Sequence, residues 1–312
     1  MSGGRSPAML SPAALPFFRE LGDLKRIHSA CAAGSIAERL FRDGWAALVD
    51  GQAPADVMKQ VVAAALVAAR LGDLDLATLR ALGAGDQAVV ILNRSFDEVT
   101  GDMDPGLRAR LRGALSSGRP AVGPDAADVP AFVDKLARQP RAGVTCPGQP
   151  RIMLQPAENH AEHCLMVAVY GVVASPWYGA DPVAVFLAGM AHHLHNADMP
   201  DSGYSGEMLL GDMLDTVIVQ AREAAYRELA DVPELAAAVR AALAPIGGDE
   251  TPEARAFHVA DVLDRVLEIE QHTRAGRLTM GVVLDDYGLV HDGPVKAFHD
   301  EILATTGLSG RA

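Results

Sequence analysis

The apolar residues of the chain recur at intervals of three and four over most of its length, which is the spacing of amphipathic helices. The segment Ser35-Ile-Ala-Glu38 has the form of a capping box and predicts a helix that runs to about Val49. Residues 88–92 would also suit a strand by composition, but their helical neighbours favour a helix. In this first part of the chain we predict helices over residues 17–30 (interrupted at Gly22), 35–49, 55–71, 74–82, 87–99 and 105–115.

Proline and glycine recur through residues 117–156, where only residues 131–138 have a helical pattern. This stretch is typical of a linker or of a segment that wraps around the parts it joins. After it we predict helices over residues 158–174, 182–197, 206–229, 232–243, 252–272 and 296–305. The predicted fold class is therefore all-α, a helical bundle with an additional N-terminal helical segment. The predicted divisions are a disordered tail (1–12), an N-terminal helical segment (13–116), the linker (117–156), a second helical domain (157–275) and a C-terminal extension (276–312).

The amino-acid composition supports an all-α fold and excludes some classes of binding partner. Hydrophobic residues make up 49% of the chain but aromatic residues only 5%, and alanine is abundant, which favours helices over sheets. The formal net charge is −13 and no run of Lys or Arg occurs, so we expect neither a nucleic-acid partner nor an anionic membrane surface. A small-molecule substrate remains compatible with this charge, because it needs only a local site.

The cysteines and the apolar runs predict a soluble cytoplasmic protein. Cys31, Cys146 and Cys164 are widely spaced and odd in number, as is usual in a reducing compartment. Residues 1–12 lack the apolar core of a signal peptide. The longest apolar run, residues 165–174, is too short to span a membrane. Oligomeric state is open, with a homodimer as one option.

Histidines cluster in the second helical domain. Five of the ten fall within 36 residues: His160, His163, His192, His193 and His195. Residues three apart on a helix share a face, so three helices each present a polar pair: His160 with His163, His192 with His195, and His258 with Asp261. Imidazoles and carboxylates inside an apolar bundle are costly unless they are hydrogen-bonded or bind a metal. A single histidine of this kind is usually a hydrogen-bonded residue, but the set of His163, His192 and Asp261 predicts a metal site between helices.

Three segments in this order resemble motifs of the HD-domain superfamily of metal-dependent phosphohydrolases. Glu158-Asn-His-Ala-Glu-His163-Cys is similar to the E-N-x-x-E-H-S pattern that opens the first ligand helix of the 5′-deoxynucleotidase branch. Ala188-Gly-Met-Ala-His192-His193-Leu resembles the A-G-L-x-H-D signature, and Ala260-Asp261-Val-Leu-Asp264 resembles the terminal A-D-x-L segment. The spacings of 29 and 69 residues between His163, His192 and Asp261 also fit the superfamily.

The resemblance implies an HD-like metal-site domain over residues 157–275. It implies that one divalent transition metal (Mn, Fe, Co or Zn) activates water for attack on a small, nucleotide-like phosphoester. Carried over by position, the resemblance implies His163, His192, His193 and Asp261 as metal ligands. From the residues near these positions we predict His195 or Glu162 as the proton-transfer group, and Arg151, Asp198 and Asp201 as substrate-binding residues.

Two departures from the HD pattern keep other functions open. His193 stands where the signature has Asp, and Asn196 stands where an acidic or histidine helper is found; an amide cannot act as a general base. A degenerate HD-domain scaffold or regulatory protein without turnover is one alternative. An HD-type diiron oxygenase is the other, although it would need further histidine ligands, and none lies between His195 and His258. His160, His195 and His258 would have to supply them.

Overall fold

The structure is a computed structural model that describes residues 10–30, 32–118, 129–275 and 279–309. Almost all regular structure within these ranges is helical, which confirms the predicted all-α bundle. Two short strands, β1 (His28–Ser29) and β2 (Ala32–Ser35), pair antiparallel. The α-helices are α1 (Leu15–Gly22), α2 (Ile36–Val49), α3 (Pro54–Leu71), α4 (Leu76–Ala81), α5 (Gln87–Val99), α6 (Pro105–Gly113), α7 (Ala131–Arg138), α8 (His160–Tyr178), α9 (Pro182–Ala191), α10 (Gly203–Met208), α11 (Leu214–Arg227), α12 (Pro233–Leu243), α13 (Pro252–Ala275) and α14 (Lys296–Thr306). Shorter 3₁₀ turns lie at Pro12–Ala14, Asp23–Lys25, Ala114–Ser116, Leu194–Ala197, Gly211–Met213 and Ala244–Gly247, and a π-helical turn at Val282–Asp286.

Local sequence signals placed several helix ends correctly. Helix α2 begins directly after Ser35, whose hydroxyl accepts a hydrogen bond of 3.1 Å from the backbone N–H of Glu38. Helix α3 ends at Gly72, which adopts a φ of +57° that side chains other than glycine disfavour. Helices α5 and α7 match their predicted ranges, so the apolar residues 88–92 are helical.

Three predicted helices were wrong in extent, and the one over residues 182–197 is described with the metal centre below. The helix expected over residues 17–30 ends in the 3₁₀ turn Asp23–Lys25, and the residues after it form β1. The helix expected over residues 206–229 is divided into α10 and α11 around Gly211, which has a φ of +51°. Helix propensity is a weak preference. Strand pairing outweighs it at His28–Ser29, and the positive φ of Gly211 interrupts the helix at the second position.

Helix α8 lies at the centre of the bundle and packs most extensively against α9 and α13. Residues 160–175 of α8 are all buried, as expected for a helix that is apolar on every face. A Cβ atom at Gly189 of α9 would lie 2.5 Å from the Cα of Ala168 in α8, so only glycine allows this approach. The crossing brings the C-terminal end of α9 against α8.

The N-terminal helices pack onto this bundle through aromatic contacts. The buried Trp45 ring of α2 meets Phe132 of α7 edge to face, with 4.9 Å between ring centroids. The Tyr170 hydroxyl of α8 donates a 2.6 Å hydrogen bond to the carbonyl of Phe18 in α1. One hydrophobic cluster therefore includes residues from both sides of the segment that we predicted as a linker.

The described part of the predicted linker, residues 129–156, lies along the bundle. Val144 and Ile152 exchange backbone hydrogen bonds of 3.0 and 2.9 Å, and the backbone N–H of Arg141 donates to the carbonyl of Glu158 at 2.8 Å. Residues 119–128 of this segment, residues 1–9 of the predicted tail, Cys31, and residues 276–278 and 310–312 of the C-terminal extension lie outside the described residues. A membrane-spanning helix, judged by length and apolar character, is absent from the described ranges.

Candidate metal centre

The first predicted ligand, His163, lies in the first turn of α8 and is fully buried. A complete capping box between Asn159 and Glu162 fixes the start of this helix. The Nδ1 atom of His163 lies 2.7 Å from a carboxylate oxygen of Asp264, on α13. Its Nε2 atom faces Nε2 of His192 at 3.2 Å and Oδ1 of Asp261 at 3.3 Å.

The side chains of His192 and His193 both reach the ring of His163, because α9 ends just before these two residues. We predicted that this helix continues to Ala197, which is wrong: α9 ends at Ala191, and a 3₁₀ turn follows from Leu194. Consecutive residues of an α-helix point about 100° apart. At this helix end, the rings of His192 and His193 instead lie 4.3 Å apart between centroids, and each lies 5.1 Å from the ring of His163.

Each of these three imidazoles has an oxygen acceptor at Nδ1. His192 donates to the carbonyl of Gly189 at 2.8 Å, and His193 to the side-chain oxygen of Asn196 at 2.6 Å. Asp264 fills the same role for His163. When such a ring is neutral, its proton therefore belongs on Nδ1, and the lone pair on Nε2 is free to bind a metal.

Burial keeps two of these rings neutral. Burial and the neighbouring imidazole of His163 hold the pKa of His192 well below its ordinary value. The pKa of His193 is likewise lowered, by burial and by the rings of His192 and His160. Neutral imidazole is the form that binds metal ions, so no proton has to be removed before a cation binds.

Asp261 brings a charged oxygen to the group from α13. Burial disfavours its ionised form, but Arg265 and His163 outweigh this and hold the pKa of Asp261 well below its usual range. Its Oδ2 atom accepts a hydrogen bond of 2.9 Å from Arg265. Its Oδ1 atom is buried and makes no hydrogen bond within the described residues.

The donor set fits a metal ion. One ring nitrogen from each of His163, His192 and His193 belongs to a group whose atoms all lie within 4.8 Å of one another, and Asp261 adjoins this group through His163. Two imidazole lone pairs 3.2 Å apart repel each other, and the buried Oδ1 of Asp261 lacks a donor. A cation bound among these atoms would remove both unfavourable features. These buried residues could therefore hold a metal ion.

A second group of buried carboxylates lies on the Nδ1 side of His163. Glu158, Asp264 and Glu268 surround the ammonium of Lys25, and we call these three residues the acidic cage. Glu158, His163 and Asp264 also have the spacing of metal ligands. Sequence analysis missed the cage because Lys25 lies 239 residues from Asp264 in the chain. The position of Asp264 three residues after Asp261, on the same helix face, was the one available signal.

A polar cavity of about 190 Å³ adjoins the metal centre. Its wall includes His193 from the metal group and two arginines, Arg141 and Arg265. Each of these arginines has a buried nitrogen (Nη1 of Arg141 and Nε of Arg265) with no hydrogen-bond partner among the described residues. Other lining residues are Glu158, Asn196, Asp201, Tyr204, Glu207, Glu268 and His291. The rings of Tyr204 and His291 stack at 3.7 Å.

The two predicted proton-transfer residues lie outside this cavity wall. Both carboxylate oxygens of Glu162 are engaged, one by the hydroxyl of Ser35 at 2.6 Å and one by the backbone N–H of Asn159 at 2.9 Å. Burial raises the pKa of Glu162 to about 7, although these hydrogen bonds oppose the shift. His195 lies 5.6 Å from His193 between ring centroids, and burial together with Arg222 lowers the pKa of His195 to about 4.

Of the three predicted substrate-binding residues, only Asp201 lines the cavity. It accepts hydrogen bonds of 2.8 Å from the backbone N–H groups of Ala142 and Gly203. Asp198 is exposed and forms an ion pair of 2.6 Å with Lys135. Arg151 donates to the carbonyls of Ala142 and Ser202, at 3.2 and 2.9 Å, and so joins two loops.

The remaining histidines do not gather into a second histidine site within the described residues. His160 lies 3.5 Å from Asp201 and 4.8 Å, between ring centroids, from His193. His258 is held by the carbonyls of Ile246 and Gly248 at 3.0 and 3.1 Å. This arrangement disfavours the diiron alternative.

The chain matches none of the family models, curated proteins or solved structures with which it was compared. The resemblance to the HD-domain superfamily therefore rests on the three sequence motifs alone. The geometry adds an all-α bundle in which a group of histidines and carboxylates could hold a metal ion.

Proposed function

We propose that the protein is a metal-dependent hydrolase of a small phosphoester. One divalent transition metal (Mn, Fe, Co or Zn) would be held by the residue set His163, His192, His193 and Asp261. The observation that carries this proposal is the convergence of one ring nitrogen from each of His163, His192 and His193, with an oxygen acceptor at Nδ1 of every ring, beside a cavity lined by two arginines. The three HD-like motifs support the same assignment.

A divalent ion held there would lower the pKa of a water molecule to near neutrality and stabilise negative charge on the phosphoester. The protein supplies the orientation of the ligands. Asp264 and the carbonyl of Gly189 fix the ring orientations of His163 and His192. Such hydrogen bonds to ligand histidines also raise their basicity.

The cavity offers positive groups to a phosphate. Two of its carboxylates, Glu158 and Glu268, are paired with Lys25, and Asp201 accepts backbone N–H groups. Nε of Arg265 and Nη1 of Arg141, which lies 3.7 Å from Oε2 of Glu158, make no hydrogen bond among the described residues and are therefore available to an anion. A guanidinium binds phosphate oxygens with charge-assisted hydrogen bonds. We assign phosphate binding to Arg141 in preference to Arg151, which is bonded to loop carbonyls.

We assign proton transfer to Glu207. It lines the cavity, and burial together with the negative charge of Asp201 raises the pKa of its carboxyl above the usual value. A carboxyl with a raised pKa keeps its proton to higher pH than an ordinary glutamate and is the better general acid for a leaving group. His195 and Glu162 are less suitable, since neither lines the cavity and both oxygens of Glu162 are engaged.

The test is the metal content of the full chain, measured by elemental mass spectrometry on protein purified without chelator. We expect about one equivalent of a transition metal in the wild type, and its loss in His192→Ala. His258→Ala is the matched control, because this buried histidine binds backbone carbonyls and is no member of the metal group. Hydrolysis of nitrophenyl phosphate and of nucleoside monophosphates should follow the metal content.

Failure to bind metal, even after incubation with Mn²⁺, Fe²⁺, Co²⁺ or Zn²⁺, would contradict the proposal. A scaffold or regulatory protein without turnover would then be the better interpretation. Two equivalents of iron would instead favour the oxygenase.

A further inference from the structure

The ammonium of Lys25 lies at the centre of the acidic cage. Its Nζ atom is 2.8 Å from Oε1 of Glu158, 2.9 Å from Oδ1 of Asp264 and 2.8 Å from Oε2 of Glu268. The side chain of Lys25 is only 3% exposed, and those of the three acids are 6% exposed or less. The ammonium thus donates hydrogen bonds to Glu158 and Asp264 and forms a close ion pair with Glu268, in a site that water barely reaches.

In Asp264 and Glu268, the oxygen that does not face Lys25 is held at hydrogen-bond distance by another group, so the inner oxygen is left to face a cation. Oδ2 of Asp264 pairs with Nδ1 of His163 at 2.7 Å. Oε1 of Glu268 accepts a 2.6 Å hydrogen bond from Arg26. Oε2 of Glu158 lies 3.7 Å from Arg141. Convergent carboxylate oxygens at fixed positions are the ligand set that hard divalent cations such as Ca²⁺ prefer.

We propose that the Lys25 ammonium occupies the position of a second metal ion, and so keeps the metal centre mononuclear. His163 lies between the two positive charges: its Nε2 side faces the metal group, and its Nδ1 side reaches Lys25 through Asp264. That the metal centre is mononuclear rests on the proposed function. That Lys25 occupies a cation position in the acidic cage is independent of the proposed function.

The negative charge of the acidic cage explains why an ammonium is suitable. Three buried carboxylates without a cation would be strongly destabilising. Burial disfavours the charged ammonium, but Asp264, Glu158 and Glu268 outweigh this and raise the pKa of Lys25 well above its ordinary value. A lysine carries its charge at all physiological pH values and needs no supply of metal. It therefore holds Asp264 against His163 whether or not a second ion is available.

The experiment measures Ca²⁺ binding by the full chain in the wild type, Lys25→Ala and Lys25→Met. Ca²⁺ is a suitable probe because it prefers oxygen ligands to the imidazoles of the neighbouring group. We expect Lys25→Ala to bind one more equivalent of Ca²⁺ than the wild type, by equilibrium dialysis. A hundredfold excess over Kd should raise its melting temperature by roughly 5 °C. Lys25→Met removes the charge but keeps the volume, so we expect no added equivalent.

The location of the added ion is tested by Glu268→Gln in the Lys25→Ala background, which should remove the added equivalent. Equal Ca²⁺ binding by the wild type and Lys25→Ala, or by Lys25→Met and Lys25→Ala, would overturn the proposal. If Lys25→Ala folds only when Ca²⁺ is present, the proposal is supported, and if it folds in neither condition, the proposal is overturned. The readout is a difference between variants, so it stands even if the histidine group of the wild type binds no transition metal.

Discussion

The side-chain oxygen of Asn196 lies 2.6 Å from Nδ1 of His193, and the amide nitrogen of Asn196 donates to the carbonyl of Met199 at 3.2 Å. Because the nitrogen is committed to a carbonyl, the oxygen has to face the imidazole, and the ring proton belongs on Nδ1. Both residues stand where the chain departs from the HD-domain pattern. The two departures therefore form one unit, in which an amide orients the imidazole that replaces the signature Asp.

We expect Asn196→Ala to weaken metal binding by about 10- to 100-fold, the usual effect of removing a hydrogen bond to a ligand histidine. Competition with a chromophoric chelator would measure the affinity, and circular dichroism would show that the helices persist. Asn93→Ala is a matched control, since this asparagine bonds only a carbonyl within α5, at 2.8 Å. Equal affinities in the two variants would exclude His193 as a ligand oriented by Asn196.

Arg141→Gln should reduce kcat/KM for a phosphoester by about 10- to 100-fold, as expected for loss of a charge-assisted hydrogen bond. The loss should fall mainly on KM, and metal content should stay unchanged. Arg151→Gln should leave the kinetics almost unaffected, because Arg151 is bonded to two loop carbonyls. The reverse result would return phosphate binding to Arg151, as first predicted from sequence.

The stability of the metal-free protein should fall as pH decreases from about 6.5 toward 4. Burial lowers the pKa of His160 to about 4, whereas an unfolded histidine titrates near 6.5. The unfolded chain takes up the proton first, so the contribution of the neutral ring to folding is complete above about pH 6.5 and is lost as pH falls. Urea denaturation at several pH values should show a shallower decline for His160→Gln than for the wild type.

The comparison between variants isolates His160. Glu162 acts in the opposite sense, because burial raises its pKa to about 7 and so its folded form gains stability as pH falls. Its contribution is common to both proteins and cancels in the difference. His28→Gln serves as the control because His28 is exposed, and its pH profile should follow the wild type. Parallel profiles for His160→Gln and the wild type would contradict the assignment.

Gly189→Ala should destabilise the protein by about 1–3 kcal/mol, since the added methyl would overlap the backbone of Ala168 at the crossing of α8 and α9. Chemical denaturation would give the free energy of unfolding. Gly113→Ala is the control, because a methyl group there would meet nothing within 4 Å. A displacement of α9 should also weaken metal binding, and unchanged affinity would show that the end of α9 adjusts independently of the crossing.

Sequence patterns predicted the fold class and three members of the metal group, because both depend on local periodicity. The apolar runs of α8, α9 and α13 identify buried helices, and the i, i+3 spacing placed His163 and Asp261 on inward faces. His192 was predicted on the inward face of a helix that in fact ends at Ala191, and it reaches His163 from the residue after that end. The structure brings Nε2 of His163 within 3.3 Å of the side chains of both others. Their role as ligands stays a prediction.

The remaining features depend on contacts between distant parts of the chain. The end of α9 was not predicted, because neither Gly nor Pro marks it in the sequence and the 3₁₀ turn that follows has no side-chain cap. Arg141 and Arg151 are similar in sequence context, and only the path of residues 129–156 shows which one lines the cavity. Lys25 carried no signal, because its partners lie 133 residues or more away in the chain.

The position of Lys25 links the assembly of the metal centre to the order of synthesis. The ribosome releases Lys25 long before Asp264, 239 residues later, and no earlier fragment can complete the acidic cage. Nascent chains would therefore remain unable to form the full site until α13 docks. A truncated chain made of residues 157–275 alone would contain every predicted ligand and still lack the lysine. The chain could therefore hold a metal ion in the native geometry only after its two helical parts have packed together.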